Sequence, residues 1–155
     1  MSLKNGYQTY KIILSQKFQR SVGVLKKRHY KGKKSQEVFT KFVSQIVKSL
    51  RDDPFIFGSE SENIPKSSKL SRELEFQKYS FKMPNLEGAS GQGRLMYLVD
   101  REKCEIELVW IYTHEEFPKR PSDKDLKQIL DAIQQTREDE DSDRIESQDS
   151  EKEQE

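Results

Sequence analysis

One cysteine, Cys104, is all the chain has, so neither an internal disulfide nor a cysteine-based zinc site can form. Cys104 lies in a strand-like run and is expected to be a small core residue. Apolar residues are also scarce: 32% of the 155 residues are hydrophobic and 35% are charged. That is lean for a chain packed along its whole length, so part of it is expected to stay outside the core. No apolar run approaches the ~18 residues that a membrane span needs. The N-terminus, MSLKNGYQTYKIIL, lacks the long apolar region and small-residue cleavage site of a secretory signal. Together these absences predict a cytoplasmic protein with no membrane partner.

What is present is charge, unevenly spread. Residues 1–51 hold thirteen Lys/Arg and one acid, Glu37, whereas residues 136–155 hold three Lys/Arg and ten Asp/Glu. The overall charge of +1 therefore conceals a strongly basic front and an acidic end. A basic front suits a polyanion such as nucleic acid, although lysine-rich helix faces also occur simply as solvated surface.

The hydrophobic pattern gives an element order. TYKIIL, 9–14, is rich in β-formers and reads as a strand. Ser15 can cap a helix in which Phe18, Val22 and Leu25 share one face, ending near Tyr30. KGKK, 31–34, reads as a loop, with Ser35 as the cap of a second helix. Val38, Phe39, Phe42, Val43, Ile46, Val47 and Leu50 form its broad apolar stripe, and Asp52-Asp53-Pro54 stops it. Residues 58–72 are polar and serine-rich and read as a loop. From Lys78 the period becomes two: Lys78, Ser80 and Lys82 alternate with Tyr79, Phe81 and Met83. A Gly-rich turn, 85–93, leads to a strand over Arg94–Val99. DREK, 100–103, makes a hairpin loop, and a strand follows over Cys104–Thr113. Glu105 and Glu107 point outward there before the strand turns apolar on both sides at Val109-Trp110-Ile111. Pro121-Ser122 opens a last helix with Leu126, Ile129, Leu130 and Ile133 on its apolar face. The fold class is then α+β: a small twisted antiparallel sheet in the order β-α-α-β-β-β-α, with a helix hairpin packed on one face and the other face left as a working surface. Residues 1–135 form the domain and 136–155 an acidic disordered tail.

This order, with YSFKMP (79–84), GRLMYLVD (93–100) and ELVWIYTHEEF (107–117), resembles the RelE/ParE superfamily of bacterial toxins from toxin–antitoxin pairs. The likeness runs over roughly residues 9–133. Gly-Arg-Leu-hydrophobic-Tyr, a charged hairpin, and an apolar strand ending in aromatic, polar and His or basic residues are that group's usual ending. The resemblance implies a RelE-like mRNA endoribonuclease (an mRNA interferase) that works without a metal or other cofactor, usually on the ribosome. Its implied partners are messenger and ribosomal RNA and a cognate antitoxin protein. It also leaves open a ParE-like inhibitor of DNA gyrase, or an inactive RNA-binding relative.

Metal-free RNA cleavage needs a base for the ribose 2′-OH, cations for the phosphoryl charge, and an acid for the 5′-oxygen. His114 is the candidate acid or base, since imidazole exchanges protons near neutrality; Glu115 and Glu116 are alternative bases. Arg94 is the candidate phosphate ligand, because a guanidinium offers two parallel hydrogen bonds and because it best matches the family motif. Tyr112 could stack a base or donate a proton, and Trp110 reads as packing. Lys78, Lys82, Lys119 and Arg120 could together make an electropositive bowl. Lys26, Lys27, Arg28, Lys31, Lys33 and Lys34, on the helix hairpin, could hold ribosomal RNA by its backbone charge. Parity is the difficulty. A regular hairpin sets Val99 opposite Cys104 and Arg94 opposite Val109, which puts Arg94 on the face away from Tyr112 and His114. A bulge would bring them together.

Overall fold

The structure is a computed structural model. It describes the backbone of residues 9–153 and the side chains of residues 9–143. The first eight residues, on which the reading against a secretory signal rests, lie outside it. By contacts the chain divides into two units. One comprises residues up to Asn63 and Arg72–Pro121, and the other Ile64–Ser71 and the chain from Ser122 onward.

The first unit carries strand β1 (Lys11–Leu14), helices α1 (Gln16–His29) and α2 (Lys33–Asp52), and strands β2 (Ser59–Ser61), β3 (Glu75–Lys82), β4 (Gln92–Asp100) and β5 (Glu105–Thr113). The strands form one sheet in the order β1-β5-β4-β3-β2. The expected meander β3-β4-β5 is antiparallel, but β1 pairs parallel with β5, so the sheet is mixed rather than antiparallel throughout. No tight turn joins β1 to β5. Two helices and three strands separate them in the chain, so hairpin geometry does not fix the pairing direction. The polar stretch 58–72 supplies the unexpected fifth strand, β2, which pairs antiparallel with β3.

Ser15 caps α1 as expected, its hydroxyl accepting the Phe18 N–H at 3.0 Å. The second cap is different. Gly32, at φ +89°, precedes α2, and the helix starts at Lys33, two residues ahead of the expected Ser35 cap. Only glycine takes that backbone readily, which keeps the connection between the helices short. Both helices pack on one face of the sheet. Phe18, Leu25, Phe39, Ile46 and Leu50 meet Leu95, Tyr97, Val99, Ile106, Leu108 and Ile111 in one core. The Tyr30 ring stacks on Phe39 at 4.6 Å, and its hydroxyl donates to the Pro84 carbonyl at 2.8 Å. That bond ties the end of α1 to the loop between β3 and β4.

Two corrections to the hairpin register decide what the sheet presents. Asp100 pairs with Glu105, so the turn runs one residue later than expected. Cys104 lies in the turn at φ +52° and is half-buried, not a core strand residue. Further on, Tyr97 pairs with Leu108 but Met96 pairs with Trp110, so Val109 is a bulge. α1 accommodates it. The Ser15 hydroxyl donates to the Val109 carbonyl at 3.3 Å, and Ser21 accepts the Ile111 N–H at 3.1 Å. β1 ends opposite Leu108, and these hydroxyls take over the free edge of β5 beyond it.

The second unit is built on helix α3 (Asp123–Glu153), with Ser122 accepting the Asp125 N–H at its start. Leu126, Leu130 and Ile133 are buried. The helix continues past Thr136, through most of the stretch that composition alone reads as a disordered tail over 136–155. Glu, Gln and Arg are good helix formers, and side-chain bonds at i,i+4, Gln134 to Glu138 and Gln135 to Asp139, bridge the start of that stretch. Asp131 joins α3 to the 64–71 segment. It accepts from the Ser68 hydroxyl at 2.8 Å, the Lys69 N–H at 2.6 Å and the Lys127 ammonium at 2.8 Å.

Burial on its own would raise the Asp131 pKa. The hydrogen bonds from Lys127, Lys69 and Ser68, with the Lys127 charge, outweigh it and hold the carboxyl at about 2. A depressed folded pKa gives stability that is present above the ordinary value of 3.8 and lost as pH falls toward about 2. Asp131→Asn is therefore expected to cost about 1–2 kcal/mol at pH 7, a figure discounted for partial exposure. Thermal melts should show that difference shrinking between pH 4 and pH 2, and a pH-independent gap would refute the assignment.

Candidate functional site

The bulge at Val109 reverses the parity of the end of β5. Arg94 pairs directly with Tyr112 across β4–β5 and with Ser80 across β3–β4. The His114 N–H donates to the Gln92 carbonyl at 2.9 Å, which continues the ladder by one step beyond Thr113. Gln92, Arg94, Tyr112 and His114 thus occupy neighbouring register positions at one end of the sheet face opposite the helices, with Lys82 paired to Gln92. A cleft of about 420 Å³ opens there, lined by Ser80, Phe81, Lys82, Leu86, Glu87, Gly88, Gly91, Gln92 and Arg94. Arg94 is half-buried and donates to the Gly93 carbonyl at 2.8 Å, while Lys82 is exposed.

The rest of that face is not the open working surface expected from the sequence. Phe76, Met96, Leu98, Trp110 and Tyr112 are all buried. Thr113 accepts the N–H groups of Glu116 and Phe117 at 3.0 and 3.1 Å, so the chain turns back sharply after β5. Phe117 then meets Trp110 and Tyr112 edge-on at 5.5 and 5.6 Å, and Lys17 lies 4.1 Å from the Trp110 ring centre. The polar residues after the strand thus form the turn that folds Phe117 over it. Trp110 packs, as expected. Tyr112 does not fill its expected roles. Its ring is fully buried, so no base can stack on it, and burial pushes its hydroxyl up to about 12, so it stays protonated. Among the described residues that hydroxyl has no hydrogen-bond partner. Tyr112→Phe is therefore expected to leave stability unchanged or raise it by up to about 1 kcal/mol, measured by denaturant unfolding. A loss above that would mean that the hydroxyl is bonded in solution.

The expected electropositive bowl is not assembled. Arg120 donates to Glu62 at 2.8 Å and to the Asn63 carbonyl at 2.7 Å, and the Lys78 ammonium lies 3.5 Å from both Glu60 and Glu62. Two of the four cations thus hold the β2 segment, and Lys119 is exposed outside the cleft lining. Only Lys82 joins Arg94 in the cleft. Glu62 was not legible as an ion-pair hub, because nothing in a polar serine-rich stretch marks one acid from another. Gln92 fell in the expected Gly-rich turn; the strand starts there, two residues earlier than expected, and alternation then puts Gln92 on the Arg94 face. Glu115 pairs with Arg28 at 2.7 Å, and Glu116 accepts the Thr113 N–H at 3.3 Å, which leaves both with structural duties.

Lys26, Lys27 and Arg28 lie in the last turn of α1, and Lys31, Lys33 and Lys34 are exposed around the turn into α2. All six therefore cluster at one end of the helix hairpin. Among the described residues no helix is long and apolar enough to cross a membrane, and no group of three or more His, Cys, Asp or Glu side chains could hold a metal ion.

No family model and no curated protein matches the chain. Among solved structures it is similar to a double mutant of the E. coli toxin RelE in the free state. That likeness has 16% sequence identity and a TM-score of 0.41, and it covers 72% of this chain and 90% of the other.

Proposed function

We propose that this protein is a metal-independent endoribonuclease of the RelE type, the toxin of a toxin–antitoxin pair, and that it cuts messenger RNA at the Arg94 cleft. The observation that carries the reading is the bulge at Val109, which puts Arg94, opposite Tyr112, and His114, opposite Gln92, on one face of the sheet at the end where Arg94 and Lys82 line a cleft. Arg94 binds the scissile phosphate through its guanidinium fork and offsets the charge that grows on the phosphoryl oxygens. His114 moves the proton, taking it from the 2′-OH or giving it to the departing 5′-oxygen. Lys82 adds positive charge. The phosphodiester is cut by attack of the 2′-oxygen on its neighbouring phosphorus, so DNA, which lacks that hydroxyl, is not a substrate.

The basic end of the helix hairpin supplies sequence-independent attraction for ribosomal RNA. A partner protein with acidic side chains, the antitoxin, covers the cationic surfaces until it is removed. The test is to induce the chain in bacterial cells and map RNA 5′ ends and DNA supercoiling in the same culture. New 5′ ends within messages support the nuclease. Altered supercoiling with intact messages would replace it with the gyrase reading, and neither change would favour an inactive RNA-binding protein.

A further inference from the structure

We propose that this protein pairs with a second copy of itself across the outer face of α2, the Phe57 ring of each copy filling a groove on the other. This surface lies on the helix side of the sheet and leaves the Arg94 cleft, on the opposite face, uncovered.

Among the described residues the exposed large apolar side chains are Leu14, Val24, Val38 and Phe57, and the last two flank one groove. The groove holds about 390 Å³ between α2 and β3. Val38, Phe42, Gln45 and Ser49 line it from one side of the helix, and Tyr79 and Pro84 from the other wall. Phe57 stands at the Tyr79 end. The Ser59 N–H and hydroxyl both donate to the Ile56 carbonyl, at 3.0 and 2.7 Å, and close a turn with Phe57 and Gly58 at its tip. Gly58 takes φ +99°, which the third position of such a turn requires. Its carbonyl accepts the Ser80 N–H at 3.1 Å, and a Cβ there would come within 3.0 Å of the Tyr79 ring, so the turn is docked on β3. Phe57 is thus a fully exposed ring on a fixed turn, with little backbone freedom left to lose on binding.

A projecting ring and a groove on one face suit a closed two-fold pair, because each copy gives one and receives the other. The charges agree with that orientation. Lys41 lines the first half of the groove, and Asp52 lies in the last turn of α2 on the same side of the helix by its 3.6-residue period. Both are exposed, and neither has an ion-pair partner among the described residues. Turning a second copy end for end about an axis near Gln45 and Ile46 sets Asp52 of each copy opposite Lys41 of the other. The same rotation brings Phe57 to the Val38 end of the facing groove. Lys48 falls near the axis, where its long stem lets the ammonium turn outward to water. With its 20 residues α2 is about 30 Å long, and helix and groove together are about 20 Å across. Each copy therefore offers roughly 600 Å², the lower end of what a specific pair buries.

The test is sedimentation velocity of the full chain over about 1–100 μM, the range in which a weak pair of this size forms, in reducing buffer so that Cys104 cannot link two copies. The chain should pass from monomer to dimer across that range. Phe57→Ser should raise the dissociation constant by about thirtyfold, the usual result of losing an aromatic anchor. Asp52→Lys should raise it by about tenfold, and Lys41→Asp added to the same chain should restore most of that loss. Thermal melts of these variants as dilute monomers should match the parent, since all three side chains are exposed. A chain that stays monomeric at the highest concentration overturns the proposal, even if the groove then captures a different protein. A dimer that tolerates both Phe57→Ser and Asp52→Lys overturns it too, because its interface must lie elsewhere.

Discussion

Replacing Arg94 by alanine is expected to lower the rate of RNA cleavage by about 10²–10³-fold, the usual loss when one preorganised donor to a developing oxyanion is removed. The position has little redundancy. Among the described residues Lys82 is the only other cation lining the cleft, and it is exposed, whereas Arg94 is half-buried, pinned between Ser80 and Tyr112 by the ladder and tethered to the Gly93 carbonyl. Arg94→Lys should recover only a small part of the rate, because a point charge cannot reproduce the two parallel bonds of a guanidinium. His114→Ala should act on the same step, so the double variant should lose far less than the product of the two single losses. The measurement is the yield of new RNA 5′ ends at matched soluble protein, with thermal melts to confirm that each variant is folded. Cuts that persist undiminished in Arg94→Ala would remove Arg94 from the chemistry.

The second large effect is structural and falls on the helix-covered side of β4, next to Arg94 in the chain. Gly93→Ala is expected to destabilise the protein by about 2–3 kcal/mol, as overpacking of a well-filled site does. The added methyl would land inside the Phe81 ring, which lies directly across from Gly93 in the β3–β4 ladder. That ring has little freedom to retreat, because Tyr79 and Phe42 pack on it. In thermal denaturation the melting point should fall by roughly 4–12 °C for a chain of this size. Phe81→Leu in the same chain should restore part of the loss by vacating the space, so the two changes should be strongly non-additive. A Gly93→Ala variant that melts with the parent would mean that the ring does not rest on the glycine in solution.

Much of the fold was legible because it is local. The stripe from Val38 to Leu50, the Ser15 cap and the stop at Pro54 depend on residues within a turn or two of one another. The alternation from Lys78 to Met83 and the turn before Arg94 are equally short-range. What was misread involves residues far apart in the chain. The bulge at Val109 is accommodated by distant hydroxyls: Ser15 bonds Val109, 94 positions on, and Ser21 bonds Ile111, 90 positions on. The Glu62–Arg120 pair spans 58 positions. Tyr112 looked available because nothing in the sequence says that Phe117 folds back over it.

Local sequence carried most of the secondary-structure types, the helix hairpin, the meander, and a strand arginine and a late histidine as candidates, but neither β2 nor the length of α3. That Arg94, opposite Tyr112, and His114, opposite Gln92, fall on one face of the sheet was decided by contacts between distant parts of the chain. A strand's period of two assigns every side chain to a face, and one unpaired residue exchanges the faces beyond it. Whether that residue is present depends on whether a neighbouring element satisfies the backbone groups that the bulge leaves unpaired, and here α1 does so.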